Sequence, residues 1–147
     1  MPLVTRRLLA SAALSLLLGL MLGLWMLLNR ELLGRWPTPY VVSSHTHLVL
    51  VGTVMQVIAG VALWMFPLPR RGEAPVPERL GMLAWWLLTP GTLLRAGAEL
   101  ARAWSSAPTL AVLVVLGAVM QVGGMVAVVL ALRRRIRPVG AGNRASL

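Results

Sequence analysis

Residues 41–66 read VVSSHTHLVLVGTVMQVIAGVALWMF, and this apolar run decides the fold class. A helix needs about 20 residues to cross the hydrocarbon layer of a bilayer, so the run is long enough to span it. Its polar side chains are few, and most of them lie near its start. Proline ends the run on both sides, because a proline cannot donate the backbone hydrogen bond that a helix interior needs. The flanking prolines are Pro37, Pro39, Pro67 and Pro69.

Three further apolar runs have a similar length, so we predict four membrane-spanning helices. The first run follows Arg6 and Arg7, as a signal peptide would. It is long for a signal peptide and no small-residue cleavage site follows it, which favours a retained span. The third run in chain order is the least apolar, and its Pro90-Gly91 pair predicts a break. Together with 41–66, the predicted spans are residues 8–28, 80–100 and 109–132.

The composition agrees with a membrane protein. Of the 147 residues, 58% are hydrophobic and only 12% are charged, whereas about a quarter of a soluble domain is charged. We therefore predict one all-α domain over residues 1–137, embedded in the lipid bilayer, and a short disordered cytoplasmic tail over residues 138–147. The chain has no cysteine, which excludes disulfides and iron–sulfur clusters.

All 14 basic residues are arginine, and their positions predict the orientation in the membrane. No segment carries a continuous basic face, so we expect no nucleic-acid binding. Most of the arginines lie at one end of the predicted spans, and this end is cytoplasmic by the positive-inside rule. Both termini are then cytoplasmic in a multi-pass protein of the cell (inner) membrane. The cytoplasmic set is Arg6, Arg7, Arg70, Arg71, Arg79, Arg133, Arg134, Arg135, Arg137 and Arg144, and the opposite set is Arg30, Arg35, Arg95 and Arg102.

An internal repeat predicts that the bundle is a duplicated helix pair. GTVMQV at residues 52–57 matches GAVMQV at residues 117–122. The second and fourth helices would then be parallel and equivalent. Gln56 and Gln121 occupy the same position in the two copies, and we predict that they form a buried amide pair that holds the helices together.

His45 and His47 are the only two histidines, and both lie near the outer end of their helix. Side chains two residues apart point about 200° away from each other on an α-helix, so the two rings serve different faces. The face of His45 includes Gly52 and Gln56, which is typical of a packed interior. The face of His47 resembles a lipid-facing or subunit-facing surface. His45 is therefore the better candidate for a ligand inside the bundle, and two interfacial histidines without a ligand are the alternative.

Arg95 is the other side chain that is costly within a membrane. By helical rise it lies about 7 Å below the outer end of its run, and His47 lies about 10 Å below the start of its own run. An imidazole and a guanidinium at one depth suit a haem, with the iron on histidine and the propionates on arginine. Alternatively, Arg95 extends outward to the interface or pairs with Glu99 one turn away.

HTHL at residues 45–48, followed by Gly52, Gly60 and Pro67, resembles the His-x-His-Leu helix of small membrane proteins related to the catalytic subunit of haem–copper oxidases. It is also similar to the NnrS family of haem-containing nitric oxide stress proteins. LLRAG at residues 93–97 is similar to an arginine-bearing helix in some of these proteins.

The resemblance implies an integral membrane protein that binds haem b, with one or two haems per subunit. In the oxidases, a His-x-His serves two haems from opposite sides of its helix, so the resemblance implies that His45 and His47 ligate iron and that Arg95 binds the cofactor. The chain lacks the additional histidines of the oxidase copper site. The expected role is therefore electron transfer or the binding of nitric oxide or oxygen.

Three questions stay open from the sequence. The sixth iron ligand is a histidine of another subunit in a homo-oligomer, a methionine, or absent. The chain has no aspartate and no nucleophile beside a base, so the sequence does not decide whether it is an enzyme. The competing functions are a cofactor-free membrane scaffold or assembly subunit, and a copper protein that uses His45, His47 and methionine.

The arginine distribution predicts which positions are accessible from outside the cell. Because the chain has no cysteine, single cysteines at Thr38, Gly72 and Asn143 report cleanly. In intact cells, a membrane-impermeant maleimide should label Thr38→Cys and should leave Gly72→Cys and Asn143→Cys unlabelled. Labelling at Gly72→Cys would reverse the predicted orientation.

Overall fold

The computed structural model describes residues 1–66 and 79–133 of the chain. Within these residues the regular structure is all-helical and consists of four helices. The predicted tail at residues 138–147 lies outside the described residues, as does the connection between the second and third helices. The helices span Leu3–Leu33, Pro39–Met65, Arg79–Arg102 and Pro108–Arg133.

Three of these helices are long and apolar enough to cross a membrane. They are the first, second and fourth, with 31, 27 and 26 residues. The third helix has 24 residues, but Arg95 and Glu99 lie within it and lower its apolar content. An all-helical chain with three membrane-spanning candidates confirms the predicted fold class at this coarser level.

The predicted break at Pro90 and Gly91 is wrong, because the third helix continues through both residues. Proline removes one backbone hydrogen bond from a helix. In helices packed inside a membrane protein this loss is tolerated, since neighbouring helices and local adjustment satisfy the freed group. Both residues are covered by neighbouring structure, and Gly91 lies directly against Met120 of the fourth helix.

The four helices run alternately up and down. Gly60, near the end of the second helix, lies against Leu8 near the start of the first, and Gly81 at the start of the third helix lies against Val4. One apolar core at this end of the bundle takes residues from all four helices. It comprises Val4, Leu8, Ala59, Leu63, Ala84, Leu88, Ala127, Val128 and Ala131.

The first helix buries a narrow stripe of mostly small side chains. The stripe recurs every three to four residues, which is the period of one helix face. Its small side chains let the neighbouring helices approach closely, as is common where membrane helices pack. The buried residues are Val4, Thr5, Leu8, Ser11, Ala12, Ser15 and Gly19.

The second helix contains a π-helical segment at His47–Met55, and this segment changes which residues face inward. A π turn takes more residues than an α turn, so the buried face advances by four residues per turn here. The α-helical prediction placed His45 and Val49 on the interior face together with Gly52 and Gln56. That prediction is wrong by one residue at the outer end and correct from Gly52 onward. The buried face is Ser44, Leu48, Gly52, Gln56, Ala59 and Leu63.

Gly52 and Gly117, which are equivalent in the internal repeat, both lie where two helices cross closely. A Cβ atom at Gly52 would lie 2.7 Å from the Cβ of Ser15 on the first helix. A Cβ atom at Gly117 would lie 2.7 Å from the Cβ of Arg95 on the third helix. Each of these glycines thus lies at a close helix crossing, with the first helix for Gly52 and with the third helix for Gly117.

Gly117→Ala should separate the third and fourth helices. The added methyl group would also lie 2.8 Å from the carbonyl oxygen of Gly91, and backbone cannot move away as a flexible side chain can. We expect a loss of about 1–3 kcal/mol, measured as a lower thermal midpoint by circular dichroism in detergent.

Gly97→Ala is the matched control on the same helix pair, since no neighbouring helix in the described part of the chain comes within 4 Å of the place that its Cβ atom would take. It should keep the wild-type midpoint or raise it, because alanine favours a helix over glycine. Equal midpoints for Gly117→Ala and wild type would contradict the close crossing.

Candidate functional site

The two histidines flank the buried face of the second helix instead of lying on it. His45 turns toward the first helix and His47 turns toward the third and fourth helices. Both rings are partly buried. The predicted divergence of the two rings agrees with these contacts, but the preference for His45 as the interior residue loses its basis.

His45 packs against the first helix. Its Nδ1 lies 3.0 Å from the carbonyl oxygen of Gly19, and a Cβ atom at Gly23 would lie 2.9 Å from the ring carbon Cε1. The ring lines a cavity of about 380 Å³ at the outer end of the bundle, together with Arg30 and Trp36. Arg30 forms an ion pair with Glu31 and lies over the Trp36 ring. His45 therefore lies beside exposed charged and aromatic side chains.

His47 has a defined tautomer. Its Nδ1 lies 2.8 Å from the backbone carbonyl oxygen of Ser43. A carbonyl oxygen only accepts, so Nδ1 carries the proton and donates it. The other ring nitrogen, Nε2, is left with its lone pair. A histidine held in this way by a backbone carbonyl is typical of metal ligation through Nε2.

His47 and Arg95 line the same groove, as their equal depth in the sequence predicts. The groove lies between the second and fourth helices and has a volume of about 580 Å³. Apart from His47, Arg95 and Gln121, its walls are apolar. The apolar lining includes Leu50, Val51, Met55, Val122, Met125 and Val126.

Arg95 pairs with Glu99, which was one of the two alternatives for it. Arg95 Nε donates to Glu99 Oε1 at 3.0 Å, and the Glu99 side chain is only 5% exposed. Arg95 Nη1 donates to Gln121 Oε1 at 3.1 Å, and Gln121 Nε2 donates to Thr92 Oγ1 at 3.2 Å. The charge of Arg95 is thereby balanced and its direction is set by two helices.

The predicted Gln56–Gln121 amide pair is wrong in its partners, although both side chains are buried. Gln56 Oε1 accepts a hydrogen bond from Thr89 at 3.1 Å and a second one from Ser11 of the first helix. Gln121 bonds instead with Arg95 and Thr92. Each glutamine thus joins its own helix to the third helix, which lies between them.

The polar residues that complete the site were not predicted as site residues. Glu99 entered only as an alternative partner of Arg95, and Thr92 did not enter at all. The spacing of three and four residues from Arg95 puts both on one helix face with it, so helical periodicity was the available signal. The involvement of Gln121 depends on how the third and fourth helices cross, and the sequence does not specify that.

A metal site made from protein side chains alone finds no support in the described residues. No three or more His, Cys, Asp or Glu side chains come together there in a way that could hold a metal ion. Met55 and Met125 do line the groove with His47, and a thioether is a ligand for haem iron or Cu(I).

The comparisons with known proteins add no relative. No protein-family model matches the chain, and no similar curated protein or solved structure was found. The function of the chain is therefore inferred from the geometry of the groove and from the residues that line it.

The Arg95–Glu99 pair should behave as a coupled unit. Glu99→Leu leaves the partly buried guanidinium of Arg95 without its counter-charge, and we expect a loss of about 1–3 kcal/mol of stability, less than for a fully buried pair. The double variant Arg95→Met, Glu99→Leu removes both charges and should recover most of that loss. Thermal unfolding in detergent measures both, and additive losses in the double variant would contradict a direct pair.

Proposed function

We propose that all four helices cross the membrane, with both termini in the cytoplasm. The third helix is the least apolar, and Arg95 and Thr92 both bond with Gln121 of the fourth helix. Glu99 pairs with Arg95 within the third helix itself. Ionisable residues within a membrane are found where the bundle interior supplies such partners. The arginine distribution supports the orientation, and the up-and-down packing brings the start of the first helix and the end of the fourth to one side.

We propose further that the groove between the second and fourth helices binds one b-type haem, with His47 Nε2 as the axial iron ligand. The observation that carries this proposal is that His47 and Arg95 line one groove whose other walls are almost entirely apolar. The hydrogen bond from His47 Nδ1 to the Ser43 carbonyl orients the ring and leaves Nε2 of the neutral imidazole as an electron-pair donor. His45 has an equivalent bond to the Gly19 carbonyl, so the groove, and not this bond, distinguishes the two histidines. The volume of about 580 Å³ and the apolar lining suit a large, mostly apolar ligand.

Arg95 would bind a haem propionate at the polar end of this groove. Its Nε and Nη1 hold Glu99 and Gln121, and the guanidinium has further N–H groups in the same plane. Charge-assisted hydrogen bonds from arginine to a carboxylate are short and strong. Arg95 would thus pair with Glu99 and bind the haem propionate at the same time.

Bound haem would supply one-electron chemistry and a coordination position for nitric oxide or oxygen. His47 would contribute a nitrogen ligand to the iron, the apolar side chains of the groove would exclude water, and Arg95 would supply the counter-charge for a propionate. The remaining iron ligand would be Met55 or Met125 of the same groove, or a residue of a second subunit in a homo-oligomer. Alternatively, that position on the iron would stay open.

A cofactor-free scaffold is the second candidate function, and the Arg95–Glu99 pair favours it. The pair satisfies both charges without any ligand. In a scaffold the groove would hold lipid chains, and His47 would have only a structural hydrogen bond. The two functions differ in whether haem content depends on His47.

His47→Ala should abolish or strongly reduce haem content in detergent-purified protein. His45→Ala is the matched control, since it removes the same ring two residues away while leaving the groove intact. We expect it to retain most of the haem. Haem is measured per chain as the pyridine haemochrome. Normal haem content in His47→Ala would remove the proposed ligand, and normal content in the double variant would exclude both histidines.

A further inference from the structure

Glu99 has one carboxylate oxygen without a hydrogen-bond donor. Its Oε1 accepts from Arg95, whereas its Oε2 is buried and receives no hydrogen bond from any described residue. This oxygen lies 3.4 Å from His47 Nδ1. A buried acceptor without a donor is costly, and so it is uncommon in native structures unless it has a role.

This oxygen lies beside the His47 imidazole, and Glu99 is not among the residues that line the groove. His47 Nδ1 donates to the Ser43 carbonyl, which is neutral. The Glu99 oxygen adds a negative charge beside the same N–H group. A carboxylate near the distal nitrogen of a ligating histidine raises the basicity of the ligating nitrogen. Its effect is strong in a layer of low dielectric constant.

We infer that Glu99 is a positioning residue that increases electron donation from His47 to the haem iron and favours the ferric state. The inference rests on the proposed haem ligation by His47. Arg95 bonds Oε1 of the carboxylate, and Oε2 lies beside the imidazole. The ion pair on the third helix would then set the reduction potential of an iron bound to the second helix.

The carboxylate of Glu99 would lower the midpoint potential of the haem iron. Ferric haem carries one more positive charge than ferrous haem, so a nearby carboxylate stabilises the ferric form more. Removing that charge while keeping the shape of the side chain should raise the midpoint potential of the one-electron couple. An increase of about tenfold in the preference for the ferrous state corresponds to 59 mV for such a couple.

Glu99→Gln tests the inference in the full-length, haem-loaded protein. Redox titration should give a midpoint potential at least 59 mV above wild type, with haem content within about twofold of wild type because His47 is untouched. Glu31→Gln is the matched control, since Glu31 is an exposed glutamate that pairs with Arg30. It removes the same charge near the same end of the bundle and should leave the potential unchanged.

Glu99→Gln also leaves the guanidinium of Arg95 without its counter-charge, and this alone raises the midpoint potential. A second background, Arg95→Gln, separates that contribution from the effect of the carboxylate on His47. In Arg95→Gln protein no uncompensated guanidinium remains, and Glu99→Gln should still raise the potential if the carboxylate acts on His47. Disappearance of the shift in that background would overturn the inference. Glu99→Asp keeps the charge but shortens its reach, and it should give a smaller shift even if Glu99→Gln folds poorly.

The two proposals fail in different ways. Absence of haem from wild-type protein would remove the proposed function. Normal haem content with an unchanged potential in Glu99→Gln would overturn only the role of Glu99, and His47 would stand as the ligand.

Discussion

The ion pair between Arg95 and Glu99 is the interaction around which one end of the bundle is arranged. The two opposite charges lie one helical turn apart, with Glu99 almost fully buried and Arg95 partly buried. Charges in a hydrocarbon layer need partners from the bundle itself. Gln121 of the fourth helix supplies one, and His47 of the second helix lies beside the free oxygen. The second and fourth helices therefore have to face the third at this level.

The same requirement accounts for the polar contacts deeper in the bundle. Thr89 and Thr92 lie one turn apart on the third helix, and each meets a glutamine from a different neighbour. Ser11 of the first helix completes the contact at Gln56. The third helix is the least apolar of the four, and its polar side chains bond with both glutamines. Small residues at the crossings allow the backbones to approach closely enough for these short side chains to meet.

Much of this arrangement follows from the sequence. The apolar runs predict the four helices, and the equal depth of His47 and Arg95 predicts that they line one groove. Periodicity places the inner half of the second helix correctly but not its outer half, because the π-helical segment at His47–Met55 shifts the buried face by one residue. Nothing local to the sequence marks that segment. The repeat makes Gln56 and Gln121 equivalent, and it led to the prediction that they pair with each other. In the structure the third helix lies between them and supplies closer partners for both.

The proposal that the groove beside His47 binds haem is tested by the absorption spectrum of wild-type protein. Protein purified in detergent, and the same protein after haem is added and excess removed, should show a Soret band. Its pyridine haemochrome should be of the b type, with about one haem per chain. Protein that is colourless as purified and binds no added haem would contradict the account and leave the groove as a lipid-filled surface of a scaffold.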